Sequence, residues 1–432
     1  TGEDLSVDIA GLTRVEGEGS LRLEVRNGVV DHARLEIFEA PRYFEQLVVG
    51  RTPDEVIDIV ARICGICPVA YQMTAVHAFE SAFGVAIDPA VRALRRLLYC
   101  GEWIESHALH VYLLHLPDFL GHASALEMAS EHRRTLEDGL TLKKAGNRIV
   151  ELIGGRAIHP VSVRVGGFSR TFRRSDLDEL RGPLTTALEI AERTVDLVAG
   201  LDTPRFERQG RLVALRHPAE YPMNEGRIVS NDGLDIPATD WRSAFAEEQV
   251  SWSHALQARG RDGRPYLLGP SSRITLAAAE LHPRAAAALA RTGLAAEIAV
   301  NPYRSIVARA VELVDAVAEA LEILERHVAP AEPAVPWEPR QATAAWATEA
   351  PRGLIFHAYE LDERGRVAAA QIVPPTSQNQ AAIEADLADF APGVLRLPKP
   401  EATLRLEQLI RSYDPCISCA THFLDLSVEE RP

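Results

Sequence analysis

The chain has 432 residues, with 46 Lys or Arg against 61 Asp or Glu, and hence a formal net charge of −15. That balance argues against a partner as anionic as a nucleic acid or an acidic membrane surface. No apolar run approaches the ~20 residues that cross a bilayer, and the first residues, Thr1 to Asp4, are polar and acidic, unlike a signal peptide. A cytoplasmic location is expected.

In chain order, residues 5–38 predict strands. Residues 20–26 alternate apolar and polar side chains, Asn27-Gly28 is a hairpin turn, and residues 29–38 resume the pattern. Thr52-Pro53-Asp54-Glu55 supplies an N-cap, a proline at N1 and an acidic first turn. From there apolar residues recur at three- and four-residue spacing near 69–84, 88–116, 124–153, 175–200, 275–291 and 303–327, which predicts helices. Four prolines between 330 and 339 mark a linker. Beyond it, 353–361 and 366–373 predict a strand pair, followed by helices near 379–390 and 400–412. The expected fold is mainly α with small β elements at both ends (α+β). It is read as one large domain: a β region over 1–40, a helical body over 41–328, a linker over 329–340, a closing α+β segment over 341–422 and a tail over 423–432.

Five cysteines, Cys64, Cys67, Cys100, Cys416 and Cys419, are too few and too uneven for a secreted disulfide framework. Four of them form two C-x-x-C pairs, in Arg62-Ile-Cys64-Gly-Ile-Cys67-Pro68 and Asp414-Pro415-Cys416-Ile-Ser-Cys419-Ala-Thr-His422. Pro68 predicts a helix starting at the first pair. Asp414-Pro415 predicts a cap and N1, with Cys416 and Cys419 in the helical turn that follows. A helix N-terminus favours thiolate, the form that binds metal. Four thiolates fit a structural zinc site. Zinc ribbons, however, place their pairs ~15–20 residues apart, whereas these pairs sit near opposite ends of the chain. Spacing alone leaves zinc and a functional metal both open. Cys100 lies in an apolar helical run and reads as core. His107, His110 and His115 read as packing and hydrogen-bonding residues rather than ligands.

The residues around the cysteines resemble the two signature motifs of [NiFe] hydrogenase large subunits. Thr13-Arg-Val-Glu16-Gly17, Arg42-Tyr-Phe-Glu45, Gly154-Gly-Arg-Ala-Ile-His159-Pro160, Ala350-Pro-Arg352-Gly353 and Pro375-Thr-Ser-Gln-Asn379 extend the resemblance over 13–422. It implies a nickel–iron centre that splits or makes H2, with Cys64 and Cys416 as terminal nickel ligands and Cys67 and Cys419 bridging to iron. The iron would carry one CO and two cyanides. Catalytic roles fall to Cys416, as first proton acceptor, to Glu16, as proton relay, and to Arg352, over the metals. Thr376, or alternatively Ser377 next to it, would donate a hydroxyl to the cyanide that Arg352 does not contact, with Pro375 beside them, and Glu45 and His422 would hold magnesium. A non-catalytic relative, such as the quinone-site subunit of respiratory complex I, would lack the four cysteines. An H2 sensor would keep them.

Two departures stand out. Tyr71 and Glu18 occupy positions where many members have histidine, a pattern similar to the cytoplasmic NAD(P)-linked branch, which also reduces sulfur. The sequence also continues past His422, where relatives commonly lose a tail by proteolysis. With its paired cysteines committed to one site, the chain would pass electrons to an iron–sulfur small subunit, and beyond it to flavin and iron–sulfur diaphorase subunits. No dinucleotide fingerprint is present.

Overall fold

The computed structural model describes residues 5–27 and 29–421. The expected hairpin glycine Gly28, the expected magnesium ligand His422 and the tail therefore lie outside the described residues.

Strands Leu5–Ile9, Gly19–Arg26 and Val29–Ile37 form an antiparallel meander in which Ile9 faces Leu21 and Leu21 faces Leu35. Their alternation puts Leu21, Leu23 and Leu35 on one buried face, packed against Ile383 and Leu387 of the helix Pro375–Val394. At the other end, strands Ala342–Ala350, Gly353–Leu361 and Val367–Val373 form a second antiparallel sheet. The expected pair is thus three strands. The additional strand, Ala-Thr-Ala-Ala-Trp-Ala-Thr-Glu-Ala, is mostly alanine, which carries no strand signal. A further sheet, built from Arg211–Arg216, Arg227–Ser230, Asp235–Pro237 and Tyr266–Leu267, lies in the middle of the chain, where the periodicity predicts nothing.

The helical body is built on three long helices, Pro89–Leu109, Arg133–Gly154 and Ser305–Arg326. The first two approach closely because Gly146 has no side chain: a Cβ there would lie 2.5 Å from the Gly101 carbonyl oxygen. The helix expected over 88–116 changes to a π-helical turn at His110–His115. The run expected over 124–153 breaks into Ala125–Met128 and Arg133–Gly154, and that expected over 275–291 starts earlier and breaks into Pro270–Ala277 and Pro283–Thr292. In each broken run apolar residues recur at helical spacing on both sides of the break, so periodicity alone does not mark it. Among the described residues, no helix is long and apolar enough to cross a membrane.

Candidate metal centre

The first cysteine loop ends in the helix Pro68–Phe83, whose N-cap is Cys67 and whose N1 is Pro68. The buried Glu102 carboxylate accepts the Val69 N–H at 2.5 Å and the Ala70 N–H at 3.1 Å, satisfying amides that this helix start leaves free. The second loop corrects the capping expectation. Asp414 is left-handed (φ 52°), and the cap of the short helix Ile417–Ala420 is Cys416, in an extended conformation. The Asp414 carboxylate is instead turned toward Arg352.

Arg42 joins the two loops. Its backbone N–H donates to the Thr421 carbonyl at 2.7 Å, and its guanidinium donates to the carbonyls of Ile63 (2.8 Å) and Ser418. All four thiols of the two pairs are buried, and their sulfur atoms lie within 4.8 Å of one another, with Cys64 3.7 Å from Cys416 and Cys67 3.8 Å from Cys419. Hydrogen bonds from the neighbouring thiols hold Cys64 well below the usual thiol range, while burial pushes Cys416 up. Cys100 is buried elsewhere in the apolar core, where burial raises its thiol.

Glu16 stands beside this cluster. Its Oε2 is 3.0 Å from the Cys416 sulfur and accepts the Ser418 N–H at 3.1 Å, and its carbonyl accepts the Ile417 N–H at 2.9 Å. Gly17 permits this contact, since at its φ of +87° a Cβ would lie 2.7 Å from Cβ of Ile417. Thr376 Oγ1 accepts the Cys416 N–H at 3.0 Å, leaving its own O–H available to donate, with buried Ser377 and Pro375 beside it.

Arg352 lies in the turn between the first two strands of the C-terminal sheet. Its Nε donates to the Asp414 carbonyl at 3.0 Å and is 3.1 Å from Asp414 Oδ2, yet its buried Nη1 and Nη2 have no hydrogen-bond partner among the described residues. Burial disfavours its charge, but Asp414 and the sulfurs of Cys416, Cys67 and Cys64 more than compensate, holding its pKa well above the ordinary value. Tyr71 is also buried, and its hydroxyl has no hydrogen-bond partner among the described residues.

Glu45 lies against the last strand of the C-terminal sheet. Its Oε1 accepts the Ile372 N–H at 2.7 Å, and burial pushes its pKa up to about 7. Glu247 accepts a 2.8 Å hydrogen bond from Gln371 and is pushed up to about 8 by burial, with the charge of Glu45 adding to the shift. Glu247 was not legible in the sequence, since it is one acid on a short strand outside any motif. The three histidines reach other helices: His107 Nε2, at the end of the long helix, lies 2.9 Å from Glu312 Oε2, while in the π-helical turn His110 is 2.7 Å from the Arg411 carbonyl and His115 is 3.4 Å from the Ser412 hydroxyl.

Four soft donors, an acid at one of them and a guanidinium with two unengaged nitrogens define a buried centre for a redox-active metal rather than a local staple. A family profile described as nickel-dependent hydrogenase matches residues 42–141 and 221–422. Among curated relatives, sulfhydrogenase 1 subunit alpha of Pyrococcus furiosus is 34% identical, over 98% of this chain and 99% of its own length. Sulfhydrogenase 2 subunit alpha of the same organism is 33% identical, over 97% of this chain and 100% of its own. A crystal structure of an NAD+-reducing [NiFe]-hydrogenase in the H2-reduced state superposes with a TM-score of 0.88 at 25% identity, covering 97% of this chain and 99% of that one. The Ni-Fe-Se hydrogenase of D. vulgaris Hildenborough shares the fold, with a TM-score of 0.74 at 22% identity over 97% of this chain and 100% of its own. The chain belongs to the nickel-dependent hydrogenase family as a [NiFe] large subunit, an oxidoreductase acting on H2.

Proposed function

We propose that Cys64, Cys67, Cys416 and Cys419 hold the nickel–iron centre of a reversible hydrogenase, with Cys64 and Cys416 terminal on nickel and Cys67 and Cys419 bridging. When bound, that centre supplies the redox-active Lewis acid at which H2 is cleaved heterolytically or formed. The observation that carries the reading is the Cys416–Glu16 contact of 3.0 Å inside a buried four-thiol cluster. Cys416 takes the first proton and passes it to Glu16, which two loop amides hold in place. Arg352, with a fixed charge and two Nη groups that have no partner among the described residues, and Thr376, with its hydroxyl, would face the iron and the CO and cyanide ligands it would carry. Ser377 and Pro375 complete that wall. Glu45, with His422, would hold a magnesium ion. A zinc staple would leave the Glu16 carboxylate and both Arg352 Nη groups without a task.

Electrons must leave the chain, because Cys100 is the one cysteine outside the two pairs and lies in the apolar core. Ile158, 58% exposed, lies 3.9 Å from where a Cβ on Gly65 of the first cysteine loop would stand, and it offers an apolar surface beside the centre for an iron–sulfur small subunit. A flavin-bearing diaphorase beyond that subunit would couple H2 to NAD(P) in the cytoplasm, as the likeness to an NAD+-reducing hydrogenase supports. Residues 1–432 act as one catalytic unit.

Infrared spectroscopy with metal analysis of the anaerobically purified complex tests the reading. CO and cyanide stretches with nickel present are expected. A metal-loaded sample with no such bands would overturn it.

A further inference from the structure

The corner between the short helix Leu116–Leu120 and the long helix Arg133–Gly154 carries a second group of metal-binding side chains, remote in sequence from the cysteines. His122, Glu131 and His132 each bring one donor atom to within 4.8 Å of the others. Both histidine backbones are pinned: the His122 N–H donates to the Pro117 carbonyl at 2.9 Å, and the His132 N–H donates to the Met128 carbonyl at 2.8 Å. The two rings stand nearly perpendicular, 75° apart with centroids at 5.6 Å, so they meet edge to face rather than stacked. His122 Nε2 is shielded from solvent and has no hydrogen-bond partner among the described residues. Leaving a buried polar atom unsatisfied is costly, a cost that a bound cation would remove. No ion pair among the described residues engages any of the three side chains. The other surface cluster of this type, Glu24, Asp31 and His32, differs here: Arg22 and Arg26 already neutralise its carboxylates.

We propose that His122, Glu131 and His132 bind a divalent transition ion of the zinc class, with water completing the shell. Two imidazoles and a carboxylate are a three-ligand zinc set with an open position, and imidazole also suits nickel and copper. Ligand atoms about 2.0–2.1 Å from a tetrahedral zinc lie roughly 3.3 Å apart, a closure that side-chain rotation of these surface residues supplies. The ion ties together the two ends of the segment 122–132. The adjoining helix carries Asp118, whose carboxylate pairs with Arg14 and, at 2.7 Å, with Arg411. The site therefore braces the scaffold beside the Glu16 loop without touching the catalytic centre.

The test uses the untagged holo-complex, stripped of loosely held metal and titrated calorimetrically with zinc chloride, alongside His122→Ala/His132→Ala and the exposed, fold-neutral Glu131→Gln. Wild type should bind one zinc per chain beyond the nickel and iron, with a dissociation constant on the order of 10⁻⁶ M or tighter. Zinc should also slow amide exchange over 117–136. Both variants should weaken binding by about tenfold or more and keep basal H2 turnover. Absence of saturable binding to wild type, or equal binding to Glu131→Gln and wild type, would overturn the proposal.

Discussion

Two buried arginines, Arg273 and Arg352, lie on either side of the same turn, and they are used in opposite ways. All five N–H groups of Arg273 are engaged. Nε donates to Glu312 at 2.8 Å, Nη1 to Glu349 and the Ala350 carbonyl at 2.9 Å, and Nη2 to Glu312 at 2.8 Å and to the Pro351 carbonyl at 2.9 Å. Its guanidinium carbon also sits 4.3 Å from the Trp103 ring centroid. Arg352, the next residue along from Pro351, engages Nε alone and leaves Nη1 and Nη2 open beside the thiols. Desolvating a guanidinium is costly either way. Where every donor is satisfied, the cost is offset inside the fold and the residue is structural. Where two donors are left open against a cluster of soft ligands, the offset has to come from what binds there. An open buried charge is thus a better marker of the site than a buried charge alone.

The largest effect expected on the open side is at Glu16. Glu16→Gln keeps the loop hydrogen bonds but cannot take a proton from Cys416, so H2 turnover should fall by about 10²–10⁴ with nickel and iron content unchanged. Normal turnover would move the relay elsewhere. The arginines give the direct contrast. Arg352→Lys should lower turnover by about 10², since a lysine cannot present a planar fork, while the melting temperature changes little. Arg273→Leu leaves Glu312 buried without its guanidinium and should cost about 3–5 kcal/mol, read as a lower melting temperature and poorer soluble yield. If the two variants destabilise equally, the distinction between open and closed fails. Tyr71→Phe sharpens it on a smaller scale. Removing a hydroxyl that has no hydrogen-bond partner among the described residues should leave stability intact, while turnover should drop by up to about tenfold if the phenol tunes the centre. Unchanged turnover would make Tyr71 a packing residue only.

Most of the site could be read from the sequence, and the reason is local. Each cysteine pair carries its neighbours with it, and Glu16 and Arg352 lie in short motifs of their own, so their chemistry is written in adjacent residues. What could not be read depends on tertiary geometry. Asp414 looks like a helix cap in sequence, but it adopts a left-handed backbone and turns to Arg352 instead. Glu102 and Glu247 sit in ordinary helix and strand patterns, and only folding brings them to the Val69 amide and to Glu45. The fold divides the same way. Long amphipathic helices and the alternating N-terminal strands announce themselves. The alanine-rich strand Ala342–Ala350 and the mid-chain sheet do not, because their strand character comes from pairing partners far along the chain.

A pH-dependent effect is expected on the closed side, on one helix. Glu312 and Asp315 are one turn apart on Ser305–Arg326 and equally buried, yet they titrate in opposite directions. Burial alone would raise Glu312, but the charge and hydrogen bonds of Arg273 outweigh it and hold the pKa to about 2. Asp315 receives a backbone N–H from His282 at 2.7 Å but no guanidinium hydrogen bond, and burial, with Glu319 nearby, pushes it up to about 8. Its folded pKa lies above the unfolded value of 3.8, so the folded state binds the extra proton. That contribution to stability is complete below about pH 4 and is lost as pH rises through about 8, at roughly 1 kcal/mol per pH unit. Asp315→Asn keeps an acceptor for the His282 N–H and removes the titration. Melting temperature should therefore fall less steeply between pH 6 and 8 in Asp315→Asn than in wild type, with the variant the more stable protein at pH 8. Parallel profiles would mean that Asp315 has a compensating charge in the folded protein, and that the two acids of this helix differ less than their surroundings indicate.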